Sequence, residues 1–252
     1  MRCRDDHSGI ETNWHRDDRG VSEVVAFVLV FGIILSSIAI LSVTGFQAMD
    51  DYQEFEQQEN AARAMGALSE NFNDVLRYDG IDQRYGELAL RGGTISTGSD
   101  GTTLSISAEG DGGEDFSDDI ELGEFSYESG SSTLYYEGGA VVRESDGGGA
   151  VVLEEPKLTY NEDSETAIVS LVEIDAEERS IQSSESTGFT LSVEDRETTV
   201  INEADEIEIT TTGERAAEWD EEIEKAWNGE NELKDDDIET IVITIVEVDI
   251  EY

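Results

Sequence analysis

An uninterrupted apolar run near the N-terminus constrains this chain more than any other feature. The run covers residues 24–43, bounded by Val24 and Val43, and three serines are its only polar members. At about 1.5 Å per residue, a helix of this length covers about 30 Å, which matches the hydrocarbon core of a bilayer. A helix at the surface of a soluble protein would carry polar residues along one face. The run therefore predicts a single transmembrane helix.

The charges on either side of the run predict its orientation. Arg16 and Arg19 precede it, whereas the next base after it is Arg63, beyond five acidic residues that include Asp50, Asp51, Glu54 and Glu56. Basic residues beside a membrane segment stay on the cytoplasmic side. We therefore expect a single-pass membrane protein with its N-terminus in the cytoplasm and the residues from about 46 onward outside the cell.

The residues just before the run form a candidate processing signal. A basic-Gly pair, Arg19-Gly20, is followed by Val21-Ser22-Glu23 and then by the apolar run. In an ordinary secretory signal the cleavage site follows the apolar region. Here a cut after Gly20 would remove residues 1–20 as a leader. Val21 would become the new N-terminus, and the whole apolar helix would stay on the mature chain.

This arrangement resembles the class III signal of archaeal type IV pilins and archaellins, which a prepilin peptidase cleaves just after a basic-Gly pair. The stretch RGVSEVVAFVLVF looks especially like pilin-like surface proteins of haloarchaea, and YYEGGAVVRESDGGGAVVLEEP is similar to a hairpin of the same group. The resemblance implies a prepilin peptidase that acts on Arg19, Gly20 and Val21. It also implies a filament in which like subunits are the partners.

Glu23 has two alternative interpretations. A carboxylate in the first turn of a helix interacts favourably with the helix dipole at the lipid interface. Alternatively, Glu23 pairs with the Val21 amine of its own or a neighbouring chain and so takes part in assembly. The resemblance implies the second role, although the corresponding glutamate of bacterial pilins is the fifth mature residue and Glu23 would be the third.

The charge balance predicts the environment of the domain. The chain has 61 acidic and 15 basic residues, a formal charge of −46, and only three of its bases are lysines. At molar salt the screening length falls to about 3 Å, so such repulsion becomes short-ranged. Disorder is the alternative for so much charge, but the regular apolar periods favour a folded halophilic domain. The lack of a basic stripe argues against nucleic-acid binding.

The sequence after the apolar run predicts an α+β fold. Apolar residues three or four apart continue the helix, so we expect one spine helix within residues 21–80. From residue 86 to 252 short alternating runs between Gly-rich breaks predict an extracellular domain of mainly antiparallel strands. One short helix near the C-terminus carries Trp219 and Trp227, which we interpret as core residues rather than a ligand site. Residues 238–252 predict a central strand, buried on both faces at its start.

The residue inventory argues against an enzyme. Cys3, His7 and His15 are the only cysteine and histidines, and all three lie in the predicted leader. The mature chain would therefore lack a Ser-His-Asp or Cys-His site and a His-ligated zinc site. We predict no cofactor. The acidic loop at residues 109–119 has the carboxylates for calcium but not the ligand order of a calcium loop, so a solvated loop is favoured.

Two functions from different classes remain. The first is a structural subunit, a pilin-like protein that is processed after Gly20 and assembled through its N-terminal helix. The second is a cell-surface receptor or adhesin that one uncut helix holds in the membrane. The same residues serve both, and the state of the mature N-terminus distinguishes them.

Overall fold

The computed structural model describes residues 18–89, 93–110, 115–182, 186–234 and 238–252. The chain divides into two compact units, residues 1–53 and residues 54–252. The helices are α1 (Asp18–Phe72), α2 (Asp74–Arg77) and α3 (Ala216–Ala226). The strands are β1 (Gln83–Ala89), β2 (Thr94–Gly98), β3 (Thr103–Gly110), β4 (Phe116–Glu121), β5 (Glu124–Ser129), β6 (Ser132–Glu137), β7 (Ala140–Ser145), β8 (Ala150–Glu154), β9 (Lys157–Asn161), β10 (Thr166–Ile174), β11 (Arg179–Gln182), β12 (Ser186–Asn202), β13 (Ala204–Thr212), β14 (Glu232–Lys234) and β15 (Thr240–Glu251).

The predicted spine is one long helix. Its described part, α1, extends from Asp18, before the proposed cleavage site, to Phe72, where Asn73 separates it from α2. The Asn73 side chain is buried; its Nδ2 donates to the carbonyl of Gly139 at 2.7 Å, and its Oδ1 accepts from the Tyr136 hydroxyl at 2.8 Å. Contacts with the β-domain therefore mark the end of the helix, and local sequence carries no sign of them.

Three sheets form the β-domain, as the α+β prediction requires. The central sheet has the strand order β1-β12-β15-β10-β9, the second β11-β2-β5-β6-β7-β8, and the third β14-β13-β3-β4. The pairings are antiparallel except for β10 and β15, which run parallel with Ile168 opposite Val242. Such a parallel pair needs a long crossover, and the chain from β11 to β14, including α3, supplies it.

Two hydrophobic cores cover opposite faces of the central sheet. Because successive side chains of a strand point to opposite faces, odd and even positions of β10 and β15 enter different cores. Odd positions, Ala167, Val169, Ile241 and Ile243, pack in a first core with the third sheet and α3. Even positions, Val172, Ile174, Val246 and Val248, pack in a second core with α1 and the second sheet.

This arrangement confirms that β15 is a central strand, but the burial of its two faces differs from the prediction. The predicted burial on both faces at its start is wrong, because Val242 is only half-buried between the buried Ile241 and Ile243. The strand instead buries its odd face at the start and its even face at the end. The apolar residues are continuous along the strand because it contributes first to one core and then to the other, and not because both of its faces are covered at the same point.

Candidate functional site

The predicted membrane segment is a helix with an exposed apolar surface. Its span in the structure is Ser22–Met49, with a mean hydropathy of 3.0, and its apolar window is not buried within the protein. Val24 and Val43, the predicted limits, are 62% and 59% exposed. Among the described residues this is the one helix long and apolar enough to cross a membrane.

Two hydroxyl groups in and beside this apolar segment bond to its own backbone. The Ser37 Oγ donates to the carbonyl of Ile33 at 2.7 Å, and the Thr44 Oγ1 donates to that of Ile40 at 3.0 Å. Lipid offers no hydrogen-bond partners, so a polar group at that depth must find one within the protein. These two side chains therefore suit a helix in an apolar solvent.

The predicted cleavage residues lie at the start of the same helix. Arg19, Gly20 and Val21 fall within the described N-terminal part of α1, and the exposed Glu23 lies two residues after Val21. The structure thus places the whole candidate signal on a helix that continues without interruption into the apolar segment.

The C-terminal part of α1 is built into the β-domain. Met65, Leu68 and Phe72 are buried in the second core, and Phe72 packs edge-on against Tyr136, with ring centroids 5.6 Å apart. This part of the spine therefore presents an apolar stripe that the β-domain covers.

Arg196 on β12 holds the end of this helical region. Its Nη2 donates to the carbonyls of Val75 at 2.9 Å and Ile81 at 3.3 Å, and its Nη1 donates to that of Tyr78 at 3.3 Å. Carbonyls at the end of a helix lack partners within the helix and favour a cation. Arg196 therefore fixes the helix end to the central sheet.

Sequence reasoning missed a buried charged cluster between the second sheet and α3. Glu137, at the end of β6, is fully buried and accepts three hydrogen bonds. The donors are the Arg215 Nε at 2.5 Å, the Trp219 Nε1 at 2.9 Å and the Thr102 backbone N–H at 3.0 Å. Arg215 also bonds Glu124 at 2.5 Å and lies 4.0 Å above the ring of Tyr135.

The electrostatics of this cluster are those of a structural joint. Burial raises the pKa of Glu124, and Arg215 counteracts the shift. Burial, followed by the Glu124 charge, also raises the pKa of Tyr135. The charges of Glu137 and Arg215 pair with each other, and each side chain forms further hydrogen bonds within the cluster, as a buried ion pair requires. No sequence pattern marks this cluster, because its acids and Arg215 are indistinguishable from surface residues until the chain has folded.

The two tryptophans of α3 are core residues, as interpreted from the sequence. Trp219 is 2% and Trp227 1% exposed, and both belong to the first core. Trp227 also borders a cleft of about 370 Å³ that is shared with Tyr160 and with three glutamates, Glu162, Glu165 and Glu230. Part of the acidic loop considered for calcium, residues 111–114, lies outside the described residues. The described residues contain no group of three or more histidine, cysteine, aspartate or glutamate side chains placed to hold a metal ion.

A family model covers nearly the whole chain. It matches residues 19–251 and describes a family of unknown function, DUF7289. The chain belongs to the DUF7289 family. The region shared with DUF7289 contains the basic-Gly pair, the apolar segment and the β-domain. Neither the curated proteins nor the solved structures contain a match to this DUF7289 member.

Proposed function

We propose that this protein is a non-enzymatic, pilin-like surface subunit that a prepilin peptidase cuts after Gly20 and that assembles through α1. One observation carries the proposal: α1 is a single helix that is apolar and exposed over Ser22–Met49 and is buried in the second core at Met65, Leu68 and Phe72. A helix of this kind serves first as a membrane anchor and then as a filament spine. The family match begins at Arg19, the basic residue of the candidate signal, which adds support.

The proposed location follows from the same residues. The leader faces the cytoplasm, Ser22–Met49 lies in the cell membrane before assembly, and the β-domain is outside the cell. The net charge of −46 on 252 residues fits a surface protein of a halophile, where molar salt screens the carboxylates.

Mass determination of the mature N-terminus tests the proposal. The full chain, produced in a haloarchaeal host, is expected to begin at Val21. Gly20→Val should leave residues 1–20 attached while the chain still enters the membrane, because the peptidase needs a small residue before the scissile bond. Gly32→Val is the matched control: a side chain added at Gly32 meets nothing within 4 Å, so processing should be unchanged. A mature chain that still carries Cys3 would contradict the pilin-like role and leave the uncut membrane-anchored receptor.

Glu23 allows assembly to be tested separately from processing. If Glu23 neutralises the Val21 amine of a neighbouring subunit, Glu23→Ala should be cut normally yet fail to form filaments. Glu23→Asp, which keeps the charge, should retain at least part of the assembly. Normal filaments from Glu23→Ala would restrict Glu23 to the helix-dipole role.

A further inference from the structure

One face of the central sheet lacks acidic residues, although 61 of the 252 residues of the chain are acidic. It consists of even positions of β10, β12 and β15 and odd positions of β9, which the strand registers place in three adjacent rows. We call it the acid-free face, and its rows are Asn161-Thr166-Thr240-Asn202, Thr159-Ile168-Val242-Val200 and Lys157-Ser170-Thr244-Thr198.

The acid-free face is open to solvent. The side chains that point the other way from the same strand segments, among them Val169, Ile201 and Ile243, are buried in the first core. On the open side Ile168 is 39% and Val200 46% exposed, side by side with the half-buried Val242. The centre of the face is therefore apolar, and threonine, serine and asparagine surround it.

The opposite face of the same sheet carries acids. Farther along the strands on that face, Glu173 lies opposite Glu247, and Asp249 follows two residues later. A solvent-facing β-surface in so acidic a chain would ordinarily carry carboxylates for hydration. The three rows instead carry β-branched and hydroxyl side chains, with Lys157 at one corner as their single charge.

We infer that the acid-free face is a contact surface for the same face of a second copy of this chain. Two copies repel each other wherever carboxylates meet, and like charges placed opposite each other in an interface cost several kcal/mol. This face is a place where two copies can approach without opposing carboxylates. Flat sheet faces also pack well on each other, about 10 Å apart, and a self-complementary patch gives a two-fold contact.

The size of the face determines when the contact forms. Four strands about 4.8 Å apart and three rows about 7 Å apart cover roughly 400 Å² per copy. Two copies would bury roughly 800 Å², below the 1,200 Å² or so of stable complexes. The contact therefore depends on a high local concentration, which membrane anchoring or assembly through α1 provides. In this respect the inference rests on the proposed function.

Cysteine cross-linking of the full chain in host membranes at molar salt tests the contact. Cys3→Ser removes the one natural cysteine, and Ile168→Cys then places a thiol near the centre of the acid-free face. Val151→Cys on β8 is the matched control, since Val151 is a β-branched residue 53% exposed on a different sheet. A short bis-maleimide should yield roughly tenfold more cross-linked dimer from Ile168→Cys than from Val151→Cys, because only the Ile168→Cys thiol would lie close to the same thiol of a second copy.

A charge variant shows whether the cross-link reports this face. Val200→Glu, added to the Ile168→Cys chain, puts a carboxylate on each side of the contact and should reduce the dimer at least about tenfold. Val151→Glu, the corresponding change at the control site, should leave it unchanged. Tryptophan fluorescence of each variant, which reports the buried Trp219 and Trp227, verifies that the domain is folded.

The outcomes separate this inference from the proposed function. Equal cross-linking at both sites, no effect of Val200→Glu, or an Ile168→Cys adduct with another protein alone would each overturn the self-contact. If filaments of the processed chain form without the Ile168→Cys cross-link, the proposed function stands and the acid-free face is not used. If an uncut chain gives the cross-link, the contact stands and the pilin-like role fails.

Discussion

The Nε of Arg215 lies 2.5 Å from the Oε2 of Glu137, and the two side chains are 3% and 0% exposed. Glu137 ends strand β6 of the second sheet, whereas Arg215 directly precedes α3, which packs with the third sheet. The pair therefore joins two parts of the domain that are distant in sequence. Removing two charges from water is costly, so such a pair contributes little net stability, yet the loss of one partner leaves a buried charge unpaired.

Loss of Arg215 should therefore destabilise the domain strongly. We expect Arg215→Ala to lower the free energy of unfolding by about 3 to 5 kcal/mol, because Glu137 loses its cation while still buried. Urea titration in molar KCl, followed by tryptophan fluorescence, measures the change. The control is Arg179→Ala, which removes an exposed partner of Glu177 and should leave the midpoint unchanged. Equal effects of the two substitutions would show that the buried pair has no special role.

The Gly138-Gly139 turn between β6 and β7 supplies a second stability test. Gly138 has φ +59°, and a Cβ there would lie 2.7 Å from the ring of Trp219. Gly138→Ala should lower the free energy of unfolding by about 2 to 4 kcal/mol, because alanine is strained in the left-handed backbone conformation and its Cβ overpacks the core. Gly147→Ala is the matched control, since its added Cβ meets nothing within 4 Å. Equal midpoints of thermal unfolding for Gly138→Ala and Gly147→Ala would contradict this account.

Period and composition predicted the α+β class, the long N-terminal helix and the central position of β15. These features depend on local patterns: an apolar run without charge, a 3.6-residue period and a strand of β-branched residues. Two short apolar runs, Phe189-Leu191-Val193 and Val200-Ile201, are separated by polar residues, yet both belong to the 17-residue β12. The polar residues between the two runs stay extended because β12 pairs with β1 at one end and with β15 along most of its length.

Features that depend on distant residues could not be predicted. The parallel pairing of β10 with β15, the Glu137-Arg215 cluster and the Arg196 contacts with the helix end each join segments far apart in the chain. Acidic residues are so common in this sequence that a buried one, such as Glu137, has no distinguishing pattern. The candidate signal at Arg19 and Gly20 could be proposed from the sequence because it depends only on local residues and on their position beside the apolar run.

The boundary of the soluble domain differs from the one that strand signals alone suggest. Those signals start at residue 86, but the second core includes Met65, Leu68, Phe72 and Val75 from the helical region. A chain that begins at Glu54 should therefore unfold cooperatively in molar KCl, whereas one that begins at Gly86 should expose the second core and aggregate. Urea titration and light scattering compare the two. A cooperative transition of the shorter chain at the same midpoint would show that α1 is dispensable.

A row of acidic residues across the central sheet makes the stability depend on pH. Burial raises the pKa of Glu173 to about 7, and the neighbouring charges of Glu247 and Asp118 act in the same direction. Burial and Asp175 likewise raise the pKa of Glu247. Between the ordinary glutamate pKa and pH 7, folded Glu173 keeps a proton that the unfolded chain has released. Its contribution to stability is therefore full at low pH and is lost as the pH rises through about 7.

Replacing Glu173 by glutamine should remove this part of the pH dependence. At pH 8, Glu173→Gln should raise the free energy of unfolding by about 1 kcal/mol, a value reduced from the full pKa shift because the side chain is half-exposed and salt screens its neighbours. Near pH 4.5 the variant and the natural chain should unfold at similar urea concentrations, since both then carry an uncharged side chain. Glu197→Gln, an exposed change on β12, two strands away in the same sheet, should not reproduce the gain at pH 8. The comparison requires urea titrations of all three chains at both pH values in the same molar KCl. A Glu173→Gln chain that is no more stable at pH 8, or that gains equally at both pH values, would contradict the titration of Glu173 as the cause.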